Sequence, residues 1–417
     1  MIRLDTDHHL PPSEAARDFI INGLGLSRPP ILERDAISSR YRSDLKRGVI
    51  GAASSLPMYD SHILPLSPDL RLPVNATCVT AEVGGTHLRL LRSQVNSHGD
   101  LDYLVDHKHK FATIEFPSSQ NFLDYILAID SLLPTPVFAS PADALAIIWS
   151  FPGEAFSRPD GPGVDMIHQY WTKGWSIPDI HNHPIGATFI AELARRYGWQ
   201  SHLALAVMND TVAVQGGIVA SGFNLKFGKY VTESGGFALI SPSPQATPFI
   251  YQQVDRQHQP GKSLAEKRIA GKYLGPALTI AVKHLRRQGL LDSSLTPGSS
   301  EFISEILSSP PAKFMASHSL NSSDYATFRF LSQELAFNSA ILVGNMIGTG
   351  IATFAPDYPD NQVRFPIEGP VFWEIPDYRS TVEVEANRLL QPHSKTVTCI
   401  PGNGLVGATQ IALSLLA

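Results

Sequence analysis

Apolar residues fall along the chain in short continuous runs and in longer stripes of helical spacing, with turns between them. Cys78-Val79-Thr80-Ala81-Glu82-Val83 reads as a strand, Gly84-Gly85 as a tight turn, and His87-Leu88-Arg89-Leu90-Leu91 as the strand that returns beside it. Ala144 to Phe151 is a continuous apolar run closed by Pro152-Gly153, the pattern of a strand buried on both faces in a mixed or parallel sheet. Ile190, Leu193, Ala194 and Tyr197 predict a helix from Ile185 that stops at Gly198, and Leu203 to Met208 predicts the next buried strand. Strand and helix alternate, so the class expected is α/β. A stripe from Ser263 to Gly289 predicts a longer helix, with Pro276 kinking it or breaking its first half. Two further helices are predicted, one from an Asp324 cap to about Ile347 and one from Gly404 through Leu415. The first 72 residues mix short helical patterns with turns and read as a lead-in.

At 417 residues the chain exceeds what one hydrophobic core serves, which predicts two lobes. Hydrophobic residues at 43% against 17% charged exclude disorder as the main state. A formal net charge of −5 gives no electrostatic footprint for nucleic acid, and the compact basic cluster Lys283 to Arg287 reads as the solvated end of a helix. Cys78 and Cys399 both sit in apolar β-branched runs, which argues against a disulfide framework or a zinc cluster and for a reducing compartment. The start, Met1 to His9, lacks an apolar signal region, and no run approaches the ~20 apolar residues of a membrane span. A cytoplasmic protein without membrane attachment is expected, with the N-x-S/T triplets at Asn75, Asn209 and Asn321 unmodified.

Three polar segments interrupt the apolar runs. In Glu82-Val83-Gly84-Gly85-Thr86-His87-x-Arg89, paired glycines let a phosphate approach the backbone. Thr86 adds a hydroxyl there, Arg89 a cation and Glu82 a carboxylate suited to hydrated Mg²⁺. A plain hairpin turn would use the same glycines. Tyr170-Trp171-Thr172-Lys173-Gly174-Trp175 sets two donors between large rings, as a polyol site or a surface loop with buried tryptophans would. In Met208-Asn209-Asp210-Thr211 an acid follows a buried strand at its C-terminal end, the usual ligand side of an α/β sheet, though an Asp there also caps helices. Gly348-Thr349-Gly350 taken alone looks like a phosphate loop, and His181-Asn182-His183 could suggest a metal site but, lacking a cysteine or carboxylate partner at ligand spacing, reads as a loop with exposed imidazoles.

Taken in order, these segments resemble the hexokinase family, over nearly the whole chain. Ser54-Ser55-Leu56-Pro57-Met58 is similar to that family's early S-S-L-P-M run, and Glu82 to Arg89 to its first phosphate loop, D-x-G-G-T-N-x-R. Ser150-Phe151-Pro152, Trp171-Thr172-Lys173-Gly174 and Asn209-Asp210-Thr211-Val212 resemble its sugar segments and catalytic Asp. Thr232 to Phe237 is similar to N-T-E-W-G-x-F, and Pro260 to Lys267 with Gly271 to Gly275 to P-G-x-x-x-F-E-K-x-x-x-G-x-Y-L-G. Ile367 to Phe372 and Gly402 to Ala408 complete the series.

The resemblance implies a two-lobed actin-like ATPase (ribonuclease H-like) fold with a sugar cleft between the lobes. Its small lobe would span 75–208 with 404–417 returning to it, and its large lobe 209–403 with the 1–74 lead-in. It implies an ATP-dependent, Mg²⁺-requiring kinase for the 6-hydroxyl of glucose or a related hexose. The hexose would be held by Ser150, Thr172, Lys173, Asn209, Asp210, Asn224, Glu233 and Glu266. Asp210 would be the general base, with Lys173 and Arg89 near the developing charge. The nucleotide side would comprise Glu82, Gly84, Gly85, Thr86, His87, Ser221, Gly222, Lys272, Gly402 and Asn403, with Glu82 reaching Mg²⁺ through water.

The departures gather on the nucleotide side. Glu82 replaces Asp, His87 replaces Asn, and the second loop, G-T-G-x-N in the family, reads Ala220-Ser221-Gly222-Phe223-Asn224. The chain is also shorter than the family's on either side of Asn224, and Pro276 and Pro370 replace Glu and Ser. A hexokinase-like sugar-binding regulator with weak or no catalysis, or an N-acetylglucosamine kinase, is the alternative.

Overall fold

The computed structural model describes residues 11–56, 58–67, 69–181, 183–220, 222–232, 234–238, 248–358 and 360–417. The chain divides into two compact units, one of Tyr59–Gly217, Lys226–Val231 and Pro401–Ala417, the other of the stretch ending at Met58, Ile218–Leu225 and Thr232–Ile400.

In the first unit, after the short strand β1 (Met58–Asp60), the 78–95 pattern forms the hairpin read from sequence, β2 (Thr77–Val83) and β3 (His87–Val95), with Glu82 opposite Arg89. The chain continues through β4 (Leu101–Lys110), β5 (Ala144–Trp149), β6 (Gly153–Ser157), β7 (Gly163–His168) and β8 (Ala204–Met208). The sheet order is β4-β3-β2-β5-β8-β7-β6, with β2, β5 and β8 adjacent and parallel. Those three strands are largely apolar on both faces because both are covered. One face packs Val79, Ala81, Leu145, Ile147 and Val207 under an aromatic group of Phe122, Trp149, Phe151 and Trp175. The other packs Cys78, Ala146, Ile148 and Ala206 against Leu405, Ala408, Ile411 and Ala412 of the C-terminal helix Gly404–Ser414. Burial there pushes the Cys78 thiol up to about 12, and Cys399 is likewise free and buried.

The helix Ile185–Tyr197 ends at Gly198 in the left-handed conformation, as its sequence predicts. Its first turn is held by a carboxylate the sequence does not flag: buried Asp165 on β7 accepts from Gly186 N at 2.7 Å and Ala187 N at 2.9 Å. The short helix Asp210–Val214 lies against the C-terminal helix at Gly407, where a Cβ would stand 2.0 Å from the Ala213 carbonyl oxygen. Gly407→Ala is therefore expected to lower stability by about 1–3 kcal/mol, since two backbones must separate to admit the methyl group. Denaturant unfolding measures the loss, and a variant as stable as the parent would show that the two helices have room.

The second unit carries most of β9 (Gly217–Val219), β10 (Phe223–Phe227), β12 (Gln362–Glu368) and β13 (Thr396–Pro401), which follow the order β10-β9-β12-β13, β11 being Tyr230–Thr232. Its longest helix runs from Ser322 to Thr353, past the expected end near Ile347, and its cap is Asn321, whose Oδ1 accepts from Asp324 N, rather than Asp324 itself. Gly344 and Gly348 let this helix meet Tyr378–Leu390 closely, since a Cβ at either would lie within 2.7 Å of a carbonyl oxygen of that helix. Gly348-Thr349-Gly350 thus serves helix packing. Contrary to the expectation from apolar run length, this is, among the described residues, one helix long and apolar enough to cross a membrane; its apolar window is mostly buried in the unit.

The stripe predicted as one helix from Ser263 to Gly289 is two, Glu266–Ile269 and Gly271–Arg287. The break is at Ala270, not Pro276, because the first helical donor, Gly271 N, is taken by the Ala220 carbonyl at 2.7 Å. Pro276 is accommodated inside the second helix. At that helix's end, Arg286 donates to the carbonyls of Ser293 and Leu295, so the basic cluster partly serves to hold the following loop.

Candidate active site

Gly84, Ser150 and Asp210 leave the C-terminal ends of three adjacent parallel strands. Val83 is in register with Trp149, Ile148 with Met208, and Ser150 N donates to the Val83 carbonyl at 3.2 Å. The Gly84-Gly85 turn, Ser150 and Asp210 are thus set side by side by sheet register alone, at the end of an α/β sheet where ligands usually bind.

The hairpin tip is tight: Gly84 N donates to the His87 carbonyl at 3.0 Å, and Thr86 Oγ1 lies 2.8 Å from His87 Nδ1. Glu82 pairs with the half-exposed Arg89 at 3.4 Å. Across the next pairing Lys108 stands opposite Arg89 and Lys110 opposite His87. Slight burial, then the charges of Lys108, Lys110 and His109, hold the His87 imidazole below its ordinary range. These two lysines are cations that sequence reading passed over, because β4 is a polar, largely exposed edge strand whose pattern gives no core face.

The Trp171–Trp175 segment folds onto this tip. Trp175 Nε1 donates to the Gly85 carbonyl at 2.9 Å, and the Lys173 stem covers Gly85, where a Cβ would lie 2.5 Å from Lys173 Cδ. Lys173 itself has φ +58° and Gly174 φ +79°, a left-handed pair that turns the segment's tip. Lys173 Nζ donates to the Ser150 carbonyl at 3.2 Å. Gly85, Ser150 and Lys173 are therefore brought together, with Thr172 next to Lys173 in the chain.

Asn209, not Asp210, caps the helix that follows β8: its Oδ1 accepts from Thr211 N at 2.9 Å. Asp210 is half-buried in the first turn, its Oδ1 accepting from Thr211 N at 2.8 Å and from Thr211 Oγ1 at 3.3 Å. Asn403 caps the C-terminal helix, taking Leu405 N and Val406 N, and Gly402 precedes it.

Gly222, Asn224, Glu266 and Lys272 belong to the other unit. There Asn224 is half-buried on β10, and the Phe223 ring, at 2% exposure, turns into the core rather than crowding the loop. Glu266 is ion-paired with Lys272 at 2.6 Å. Partial burial works to lower the Lys272 pKa, but the Glu266 hydrogen bond and charge outweigh it and raise it. Ser221 and Glu233 lie outside the described residues. The segment after Glu233 is held by the early Ser-Ser run: Ser55 Oγ accepts from Ala238 N at 3.1 Å and donates to Asp44, while buried Tyr41 and Ser234 share a hydrogen bond of 3.0 Å.

No family model matches the chain. In sequence, Hexokinase-1 of Saccharomyces cerevisiae is 22% identical over 300 residues, covering 61% of this chain and 59% of its own. Hexokinase-2 of Candida albicans is 22% identical over 285 residues, covering 59% and 56%. The chain thus spans about six-tenths of the length of the curated relatives it matches. In structure, the hexokinase of Schistosoma mansoni, solved in complex with glucose, superimposes with a TM-score of 0.69 at 17% identity, over 96% of this chain and 99% of that one. A crystal structure of a hexokinase gives 0.74 at 16% identity, over 97% and 100%. The fold is that of the sugar kinases in the actin-like ATPase class. Within that class the sequence relatives and these fold neighbours alike are hexokinases, so the resemblance read from the motifs stands.

Proposed function

We propose that this chain is an ATP-dependent hexose kinase that transfers the γ-phosphoryl group to the 6-hydroxyl of a hexose. The observation that supports it most is the register of β2, β5 and β8, which sets the Gly84–Thr86 turn, Ser150 and Asp210 side by side with Lys173 over the turn. Asp210 is the base: its fixed Oδ1 orients the carboxylate to take the proton of the attacking hydroxyl. Ser150, Thr172, Lys173 and Asn209 bind the hexose, and the family resemblance adds Asn224, Glu233 and Glu266 to its contacts. Gly84, Gly85, Thr86 and His87 receive the phosphates, with Ser221, Gly222, Lys272, Gly402 and Asn403 on the nucleotide. Arg89 and Lys173 stabilise the charge that develops on the transferred group.

Glu82, ion-paired with Arg89 at the end of the strand that leads into the Gly84-Gly85 turn, would suit Mg²⁺ held through water. When bound, Mg²⁺ would neutralise charge on the phosphates.

Hexose-dependent release of ADP, measured with glucose, fructose, mannose and N-acetylglucosamine, tests the proposal. At least one of the first three is expected to be turned over, and no release with any hexose would contradict it. The pairing of Glu82 with Arg89 and of Glu266 with Lys272 favours the second reading, a sugar-binding regulator, in which both carboxylates are committed to internal partners. Hexose binding by calorimetry without any turnover would select it.

A further inference from the structure

His168 closes β7 beneath the Trp171–Trp175 segment and is 2% exposed. Its Nδ1 accepts a hydrogen bond from Trp149 Nε1 at 3.2 Å, so the uncharged ring carries its proton on Nε2. That Nε2 is buried without a partner among the described residues. The ring lies 4.0 Å from the Trp171 ring, and Trp171 stacks on Trp175 at 5.9 Å. Contacts therefore run from β5 through His168 to both ends of the segment that carries Thr172 and Lys173.

A proton on Nδ1 would set two N–H donors, His168 and Trp149, against each other, and would place a charge where no carboxylate faces it. The titratable groups around the ring are neutral or cationic. His181 lies 4.9 Å away, and Lys173 Nζ sits 5.7 Å from the Phe151 ring on the same aromatic group. β5 and Phe151-Pro152 carry no titratable side chain. Glu154 is opposite Ile167 rather than His168, and Asp179 accepts from Ser119. The face of Trp171 offers a cation some attraction, but not the acceptor its second N–H would need. Burial first and His181 second hold the imidazole down at about 4.

We propose that His168 is a positioning residue for the sugar segment: uncharged, it holds Trp171 and with it Thr172 and Lys173, and protonation releases them. What the segment holds rests on the hexose-kinase reading. The uncharged ring is favoured in the folded chain, so hexose affinity is full near neutral pH and declines as the pH falls toward the value at which the buried ring takes its proton.

The test follows hexose affinity by calorimetry, and the indole N–H resonances of Trp149 and Trp171 by NMR, from about pH 7.5 down to about pH 3.5, past the value near which the ring takes its proton. In the parent protein both resonances shift and affinity falls over one interval. His168→Asn keeps an acceptor for Trp149 and cannot be charged; it is expected to bind within about threefold of the parent at neutral pH, to lose the paired shift of the two indole resonances, and to decline less in acid than the parent, its remaining decline being that of the sugar-site carboxylates. His168→Phe keeps a ring against Trp171 but strands the Trp149 N–H, and is expected to bind about tenfold more weakly at neutral pH. A parent-like acid decline in His168→Asn, or parental affinity in His168→Phe, would overturn the proposal. If the folded parent binds no hexose, the kinase reading fails and the resonances decide on His168: a Trp171 shift that tracks Trp149 and vanishes in His168→Asn supports it, and none overturns it.

Discussion

Asp210→Ala is expected to lower kcat by about 10²–10⁴-fold, the usual contribution of a positioned general base. Hexose affinity should change only a few-fold, because in the proposed reading Asp210 acts on the proton lost in the chemical step and the other polar groups of its unit supply the sugar contacts. The structure leads to the same expectation for folding. Asn209, not Asp210, supplies the helix cap, so removing the Asp210 carboxylate leaves Thr211 N bonded to Asn209 Oδ1 and gives up only its local contacts to Thr211. Comparison of kcat and hexose affinity, with a thermal melt, separates the two effects. A variant that loses affinity as steeply as turnover would make Asp210 a binding group and not the base.

Lys173→Met is expected to reduce kcat by roughly 10²–10³-fold, the scale of removing one preorganised charge partner from a phosphoryl-transfer site. Methionine keeps an unbranched stem over Gly85, so the turn remains covered while the cation is lost. The Lys173 side chain is exposed and its Nζ donates only to the Ser150 carbonyl at 3.2 Å, so stability should scarcely move. Loss expressed wholly in the Michaelis constant for hexose would assign Lys173 to sugar binding alone, since an interaction made equally in ground and transition states leaves kcat unchanged.

Where the fold is governed by local pattern and two-sided burial, it was legible in the sequence. The hairpin around Gly84-Gly85, the continuous runs that became β5 and β8, and the helix ended by Gly198 all follow from period, turn chemistry and the left-handed freedom of glycine. Where distant residues decide, it was not. The Ser263–Gly289 stripe is interrupted at Ala270 because Ala220, far away in sequence, takes the Gly271 donor. Asn321 outcompetes Asp324 as a cap by one turn, and Asp324 instead accepts from Asp292 N at 3.0 Å.

The candidate site divides the same way. Gly85, Ser150, Thr172 and Lys173 could be named from motif, and Gly85, Ser150 and Lys173 are brought together by sheet register and by the turn at Lys173. Lys108 and Lys110 could not, since an exposed edge strand carries no apolar period and only pairing with β3 sets them opposite Arg89 and His87. His168 could not either, because a lone histidine at the end of an apolar run shows nothing of the indole N–H that it will meet across the sheet.

The claim that this chain catalyses phosphoryl transfer is tested most directly by following hexose 6-phosphate in a single turnover, with enzyme in excess over glucose and Mg-ATP present, for the parent and for Asp210→Ala. The account predicts product from the parent and almost none from the variant, although both bind glucose. No product from a parent protein that demonstrably binds the sugar would contradict it and leave a sugar-binding regulator in its place.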